Sequence, residues 1–153
     1  MMTLDTERLS AALAPGGEMA RAYDALCEAV WRQPYLPPGA LELCRLRLAQ
    51  LHGAKRELTL RHPTAAGVAG IDAKTASLQA GTWLRDGRLT AAERAAIGFT
   101  ELYAQGAGSI TDDAASEVKQ YFGERGLVAL IEALGVIDGR IRLGLMLGQF
   151  LEG

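Results

Sequence analysis

All five prolines of this 153-residue chain, Pro15, Pro34, Pro37, Pro38 and Pro63, lie in its first 63 residues. The 90 positions that follow have none and are rich in alanine and leucine. Proline is the strongest helix breaker, and alanine and leucine are among the best helix formers, so this distribution predicts long helices after residue 63. Runs of Val, Ile and Thr at a period of two, the mark of a half-buried strand, are missing. The chain reads as all-α, with about six to seven helices in a single domain over residues 1–153.

Local signals divide the helices. Pro15-Gly16-Gly17 closes an N-terminal segment, 1–16, expected to be less ordered than the rest. Glu18 to Arg32 carries an apolar stripe of Ala20, Tyr23, Leu26, Cys27, Val30 and Trp31. A second helix opens near Gly39, after Pro37-Pro38, and runs to about Gly53; a turn or two more of helix precedes His62-Pro63. Asp72 is the expected cap of a helix reaching Leu84. Thr90-Ala-Ala-Glu93 is a capping box for a helix to about Gln105. Thr111 starts another, Gly123 stops it, and the last runs from near Glu124 through Leu151. Gly98, Gly135, Gly139, Gly144 and Gly148 inside these helices suggest close helix–helix approach. The last helix is apolar nearly all round and is expected to be buried within the protomer or between copies.

Composition excludes several function classes. Hydrophobic residues make up 49% and charged residues 22%, which suits one globular core. With net charge −2 and pI near 5.7, nothing favours nucleic acid or anionic lipid. No apolar run approaches the roughly 18 residues of a membrane span, and the polar start MMTLDTERLS is not a signal peptide, so a cytoplasmic location is expected. Cys27 and Cys44 are separated by 16 residues and fit neither a redox pair nor a zinc knuckle. Each reads as a small buried hydrophobe. With only His52 and His62 besides, no metal or cofactor is expected.

Three stretches carry a resemblance. Glu42-Leu-Cys-Arg45-Leu-Arg47-Leu-Ala-Gln50-Leu-His-Gly53 is followed by Trp83 with Leu89-Thr90-Ala-Ala-Glu93-Arg94-Ala95-Ala96 and Glu101-Leu102. The third is Ile137-Asp-Gly-Arg-Ile141-Arg142-Leu143. In this order and spacing they resemble the alkylhydroperoxidase D-like (AhpD-like) and carboxymuconolactone decarboxylase group. The resemblance implies a helical bundle that assembles into trimers or larger rings such as hexamers. In its peroxidase members a Cys pair shuttles electrons while a Glu and a distal His deprotonate the more buried thiol. Carried across, the Glu is Glu42, but the two cysteine positions are Ala54 and Glu57 and the histidine position is Arg61. Thiol peroxidase chemistry is therefore not expected there. Carboxymuconolactone decarboxylases proper lack the Cys pair, and Glu57-Leu58-Thr-Leu-Arg61-His62 is similar to their pattern, with the histidine one residue late.

The expected chemistry is a cofactor-independent lyase, decarboxylase or isomerase step on a small carbonyl-containing or anionic molecule. Glu42, Glu57 and His62 are the candidate acids and bases. A carboxylate in an apolar pocket exchanges protons near neutral pH, whereas an adjacent arginine would hold it ionised. Arg45 and Arg61 are the candidate anion holders, and His52 and Trp83 complete the candidate substrate-binding set. On a continuous helix Glu42, Arg45, Ala49, His52 and Arg56 share one face, which without the resemblance reads as a solvated charged surface. Two other readings stand beside the first: a non-catalytic oligomeric binding protein on the same scaffold, and a peroxidase using Cys44.

Overall fold

The computed structural model describes the backbone of residues 2–151 and the side chains of residues 8–148. Among the described residues seven α-helices follow in order: α1 (Met2–Leu13), α2 (Glu18–Arg32), α3 (Pro38–Leu51), α4 (Lys55–Leu58), α5 (Ile71–Ala80), α6 (Ala91–Gln105) and α7 (Asp112–Leu151). No described residue is in a β-strand. No helix among the described residues is long and apolar enough to cross a membrane.

The helix signals act where they were expected, with two differences. The Thr90 hydroxyl accepts from the Glu93 N–H at 3.0 Å, and the Glu93 carboxylate accepts from the Thr90 N–H at 2.8 Å, so the capping box is complete. Gly123, at φ 74°, breaks α7 into arms 112–122 and 124–151. Within the N-terminal segment, α1 is followed by a 3-10 turn over Ala14–Gly16. Asp72 does not cap α5. Gly70, in the left-handed region at φ 74°, precedes the helix, and Asp72 lies in the first turn. That helix also ends at Ala80, four residues before Leu84, because Gly81 (φ 78°) closes it in a Schellman motif: the Gly81 N–H donates to Leu78 O and the Thr82 N–H to Ser77 O.

α3 is the axis of the bundle. One apolar row, Leu41, Cys44 and Leu48, joins Phe99 of α6 and Leu130, Leu134, Ile137 and Ile141 of α7 in the larger core. A second, Leu43 and Leu46, packs with Ile71, Leu78, Trp83, Leu89 and Ile97. Two apolar rows leave no side for a solvated charged face. Residues 39–46 are buried throughout, with Glu42 at 0% and Arg45 at 2% exposure. The amphipathic reading of α3 fails there. Leu51, at the end of α3, is 45% exposed.

Two further expectations narrow. A Cβ at Gly98, Gly135, Gly139, Gly144 or Gly148 would meet nothing within 4 Å among the described residues, so the close approach expected at these glycines is not made within the described part of the chain, and an approach between copies remains an expectation. Leu145 and Met146 on α7 are exposed among the described residues, so burial of the last helix within the protomer is incomplete on that side and burial between copies remains the expectation.

Candidate functional site

The α3 terminus sets the site. Gly53 (φ 65°) lets the chain turn: the Gly53 N–H donates to Gln50 O and the Ala54 N–H to Ala49 O. That turn sends α4 and residues 59–62 back along α3, over the charges at 42 and 45.

Arg45 collects the returning segment. Its Nε donates to Glu42 Oε1, its Nη1 to Glu57 Oε2 at 2.8 Å and Glu57 O at 3.2 Å, and its Nη2 to Leu60 O at 2.8 Å. The second Glu42 oxygen accepts from the His62 backbone N–H at 2.8 Å and faces Arg61 Nη1 at 3.5 Å. Both Glu42 oxygens are thus engaged. The carboxylate is fully buried and lines neither of the two cavities nearby. Glu42 holds the frame instead of meeting solvent.

An inner cavity of about 200 Å³ lies on the other side of Arg45. Arg45, Glu57 and His62 line it together with Tyr23, Cys27 and Trp31 of α2 and Arg140 of α7. Glu57 is shared: its Oε2 is fixed by Arg45, and its Oε1 lies 3.4 Å from Arg140 Nη1. The Tyr23 hydroxyl is buried and has no hydrogen-bond partner of normal geometry among the described residues. The Cys27 thiol beside it is at best a weak acceptor. Burial raises the Tyr23 hydroxyl well above the ordinary tyrosine range, with the Cys27 thiol adding to the effect, so it acts as a donor.

His62 stacks on Trp31, with ring centroids 3.7 Å apart and planes 10° from parallel. Burial pulls its imidazole down to about 4; Arg45 and Arg140 push the same way against the opposing pull of Glu42. Its Nδ1 accepts from the Thr64 N–H at 3.2 Å, so the neutral ring carries its proton on Nε2. Above pH 4 His62 is therefore an N–H donor and not a general base. The fold favours the neutral ring, so the corresponding stability is full above about pH 6.5 and is lost as pH falls towards 4. Because the ring is only half buried, that loss should be about 1–2 kcal/mol, below the full linkage value. Denaturant titrations at pH 7 and pH 4 should show His62→Gln losing this much less stability over the interval than the wild type; equal losses would contradict the shift.

The remaining candidates lie elsewhere. Arg61 Nη1 donates to Thr75 Oγ1 at 2.8 Å and its Nη2 to Asp72 at 3.1 Å, which anchors the 59–70 loop to α5 without lining either cavity. His52 caps the end of α3 and pairs through Nε2 with Asp138 of α7, away from both cavities. Trp83 is 6% exposed and sits in the second core. Cys44 is fully buried, and burial pushes its thiol up to about 12, outweighing the hydrogen bond with Thr100. It lines neither cavity, so the peroxidase reading gains no support. Cys27 is half-buried instead of core, and burial raises its thiol as well.

Tyr23 and Arg140 are the residues that the sequence did not single out. Tyr23 was one of several apolar-stripe positions. Arg140 lies between Ile137 and Ile141, both buried, and that inward register was its available signal. No family model matches the chain, and no curated protein matches it in sequence.

Proposed function

We propose that this chain is an AhpD-like or carboxymuconolactone decarboxylase-like enzyme without a thiol pair, working by acid–base chemistry in the inner cavity. The observation that carries the reading is the Tyr23 hydroxyl, buried with only the weakly accepting Cys27 thiol beside it in a cavity that also holds the Glu57–Arg140 pair. A buried unsatisfied hydroxyl costs about 1–3 kcal/mol, and a ligand oxygen would relieve it. In this reading Arg140 takes the anionic group of a small carbonyl compound and draws away from Glu57 Oε1. That oxygen removes the proton from the carbon next to the carbonyl. The electron pair moves to the carbonyl oxygen, where the Tyr23 O–H stabilises the enolate. Return of the proton to the same or another carbon gives exchange or isomerisation. Glu42 and Arg45 are positioning residues. The resemblance also supports a cytoplasmic, self-associating protein.

The test is deuterium wash-in from D2O, followed by NMR, for a panel of small oxo acids and unsaturated lactone acids. Saturable exchange by the wild type is expected. A specific observation favours a second reading: both Glu57 oxygens face arginines, which suits a binding protein that holds an anion without reacting. Binding across the panel with no exchange would establish that reading and remove the first.

A further inference from the structure

The polar groups at the centre of the inner cavity divide into those already satisfied and those not. Arg45 and Arg140 both engage Glu57, one guanidinium at each carboxylate oxygen. Two neutral donors are left. The Tyr23 O–H has only the weakly accepting Cys27 thiol beside it. The His62 ring accepts from the Thr64 N–H through Nδ1 and so carries its proton on Nε2, for which no described residue supplies an acceptor. Stacking on Trp31 fixes the plane of the ring, and with it the direction of that N–H. Leu9, Leu13, Ile137 and Ile141 supply apolar wall. The volume, about 200 Å³, is below that of the usual ligand pocket and limits the occupant to a few carbons.

We propose that the inner cavity takes a small 1,3-dicarbonyl compound, with the Tyr23 O–H donating to one carbonyl oxygen and the His62 Nε2–H to the other. A ligand with a single oxygen would leave one of the two donors unmet. Reaction of this compound with Glu57 rests on the acid–base reading above; its recognition by two donors does not. Chemistry joins the two. A carboxylate is a weak base, and both oxygens of this one face guanidiniums. A carbon between two carbonyls is far more acidic than a carbon beside one, because the electron pair left behind spreads over both oxygens. Glu57 Oε1 removes that proton, and the enolate presents part of its charge to each donor, where hydrogen bonds are stronger than to a neutral carbonyl. Return of the proton from Glu57 to the same carbon restores the dicarbonyl compound with its hydrogen exchanged.

Pentane-2,4-dione is the probe, with pentan-2-one and pentane-2,3-dione as controls, read by calorimetric titration and by the ultraviolet absorption of the enolate. The 1,3-dione should bind at least tenfold more tightly than either control. His62→Asn keeps an acceptor for the Thr64 N–H but loses the Nε2–H, and should weaken the 1,3-dione at least tenfold. His62→Gln returns an amide N–H near the Nε2 position and should restore most of that affinity. Both variants should bind pentan-2-one within threefold of the wild type, whereas a merely structural role for the ring would weaken every ketone alike. Equal affinity for the 1,3-dione and the monoketone, or a dione affinity unchanged in His62→Asn, would overturn the proposal. A preferred 1,3-dione that shows neither enolate absorption nor wash-in leaves this inference standing and removes the acid–base reading. Wash-in on the oxo acids without any preference for the 1,3-dione does the reverse.

Discussion

Arg45→Met is expected to destabilise the fold by about 3–5 kcal/mol, the range for removing one partner of a buried ion pair. Arg45 is 2% exposed and donates to two carboxylates and two backbone carbonyls. Without it Glu42 keeps only the His62 N–H at 2.8 Å and the Arg61 guanidinium at 3.5 Å, too little for a carboxylate with no exposed surface. The Leu60 carbonyl loses a 2.8 Å bond at the same time. For a chain of this size the melting temperature should drop by roughly 10 °C or more. Lysine should rescue little, because its ammonium cannot span the four acceptors that the planar guanidinium reaches. The double variant Glu42→Leu/Arg45→Met should recover part of the loss by removing the stranded charge, but not all of it, since the carbonyls stay unsatisfied. Urea denaturation of the three variants checks the ordering. A loss below 1 kcal/mol for the single variant would mean that water reaches Glu42.

The same cluster explains what could be read from the chain. α2 at Glu18–Arg32, the Thr90–Glu93 box and the break at Gly123 were legible because each is set by residues within one turn of itself. The Gly81 stop is equally local, although a helix reaching Leu84 was expected. In the site, Glu42, Arg45, Glu57 and His62 were legible because the Gly53 turn brings them together within 21 residues. Their environment was not. Helical periodicity distinguishes apolar from charged positions but cannot tell which charges a distant segment will cover, and residues 57–62 cover these. Arg61, identified by its place in the motif, turns away to Asp72 and Thr75 for the same reason. Tyr23 and Arg140 are more than a hundred residues apart in the chain, and only packing of α2 and α7 joins them.

Glu57→Gln should reduce deuterium wash-in by about 10²–10⁴-fold, the usual contribution of a positioned general base. An amide oxygen can still accept from Arg45, so the fold should stay within about 1 kcal/mol of the wild type, and the two effects separate cleanly. Retention of the wild-type rate to within twofold would place the base elsewhere and sink the assignment. Tyr23→Phe then distinguishes a site from a structural network. In a network, removing a polar group lowers stability and activity together. Here the hydroxyl has only the weakly accepting Cys27 thiol to lose, so the phenylalanine variant should be at least as stable as the wild type while exchanging at least tenfold more slowly. Activity lost without stability is the mark of a group kept for what it does to a ligand. Arg140→Gln should show a third pattern, raising KM for anionic substrates more than it lowers kcat, because Arg140 is assigned to the anionic group and not to the proton.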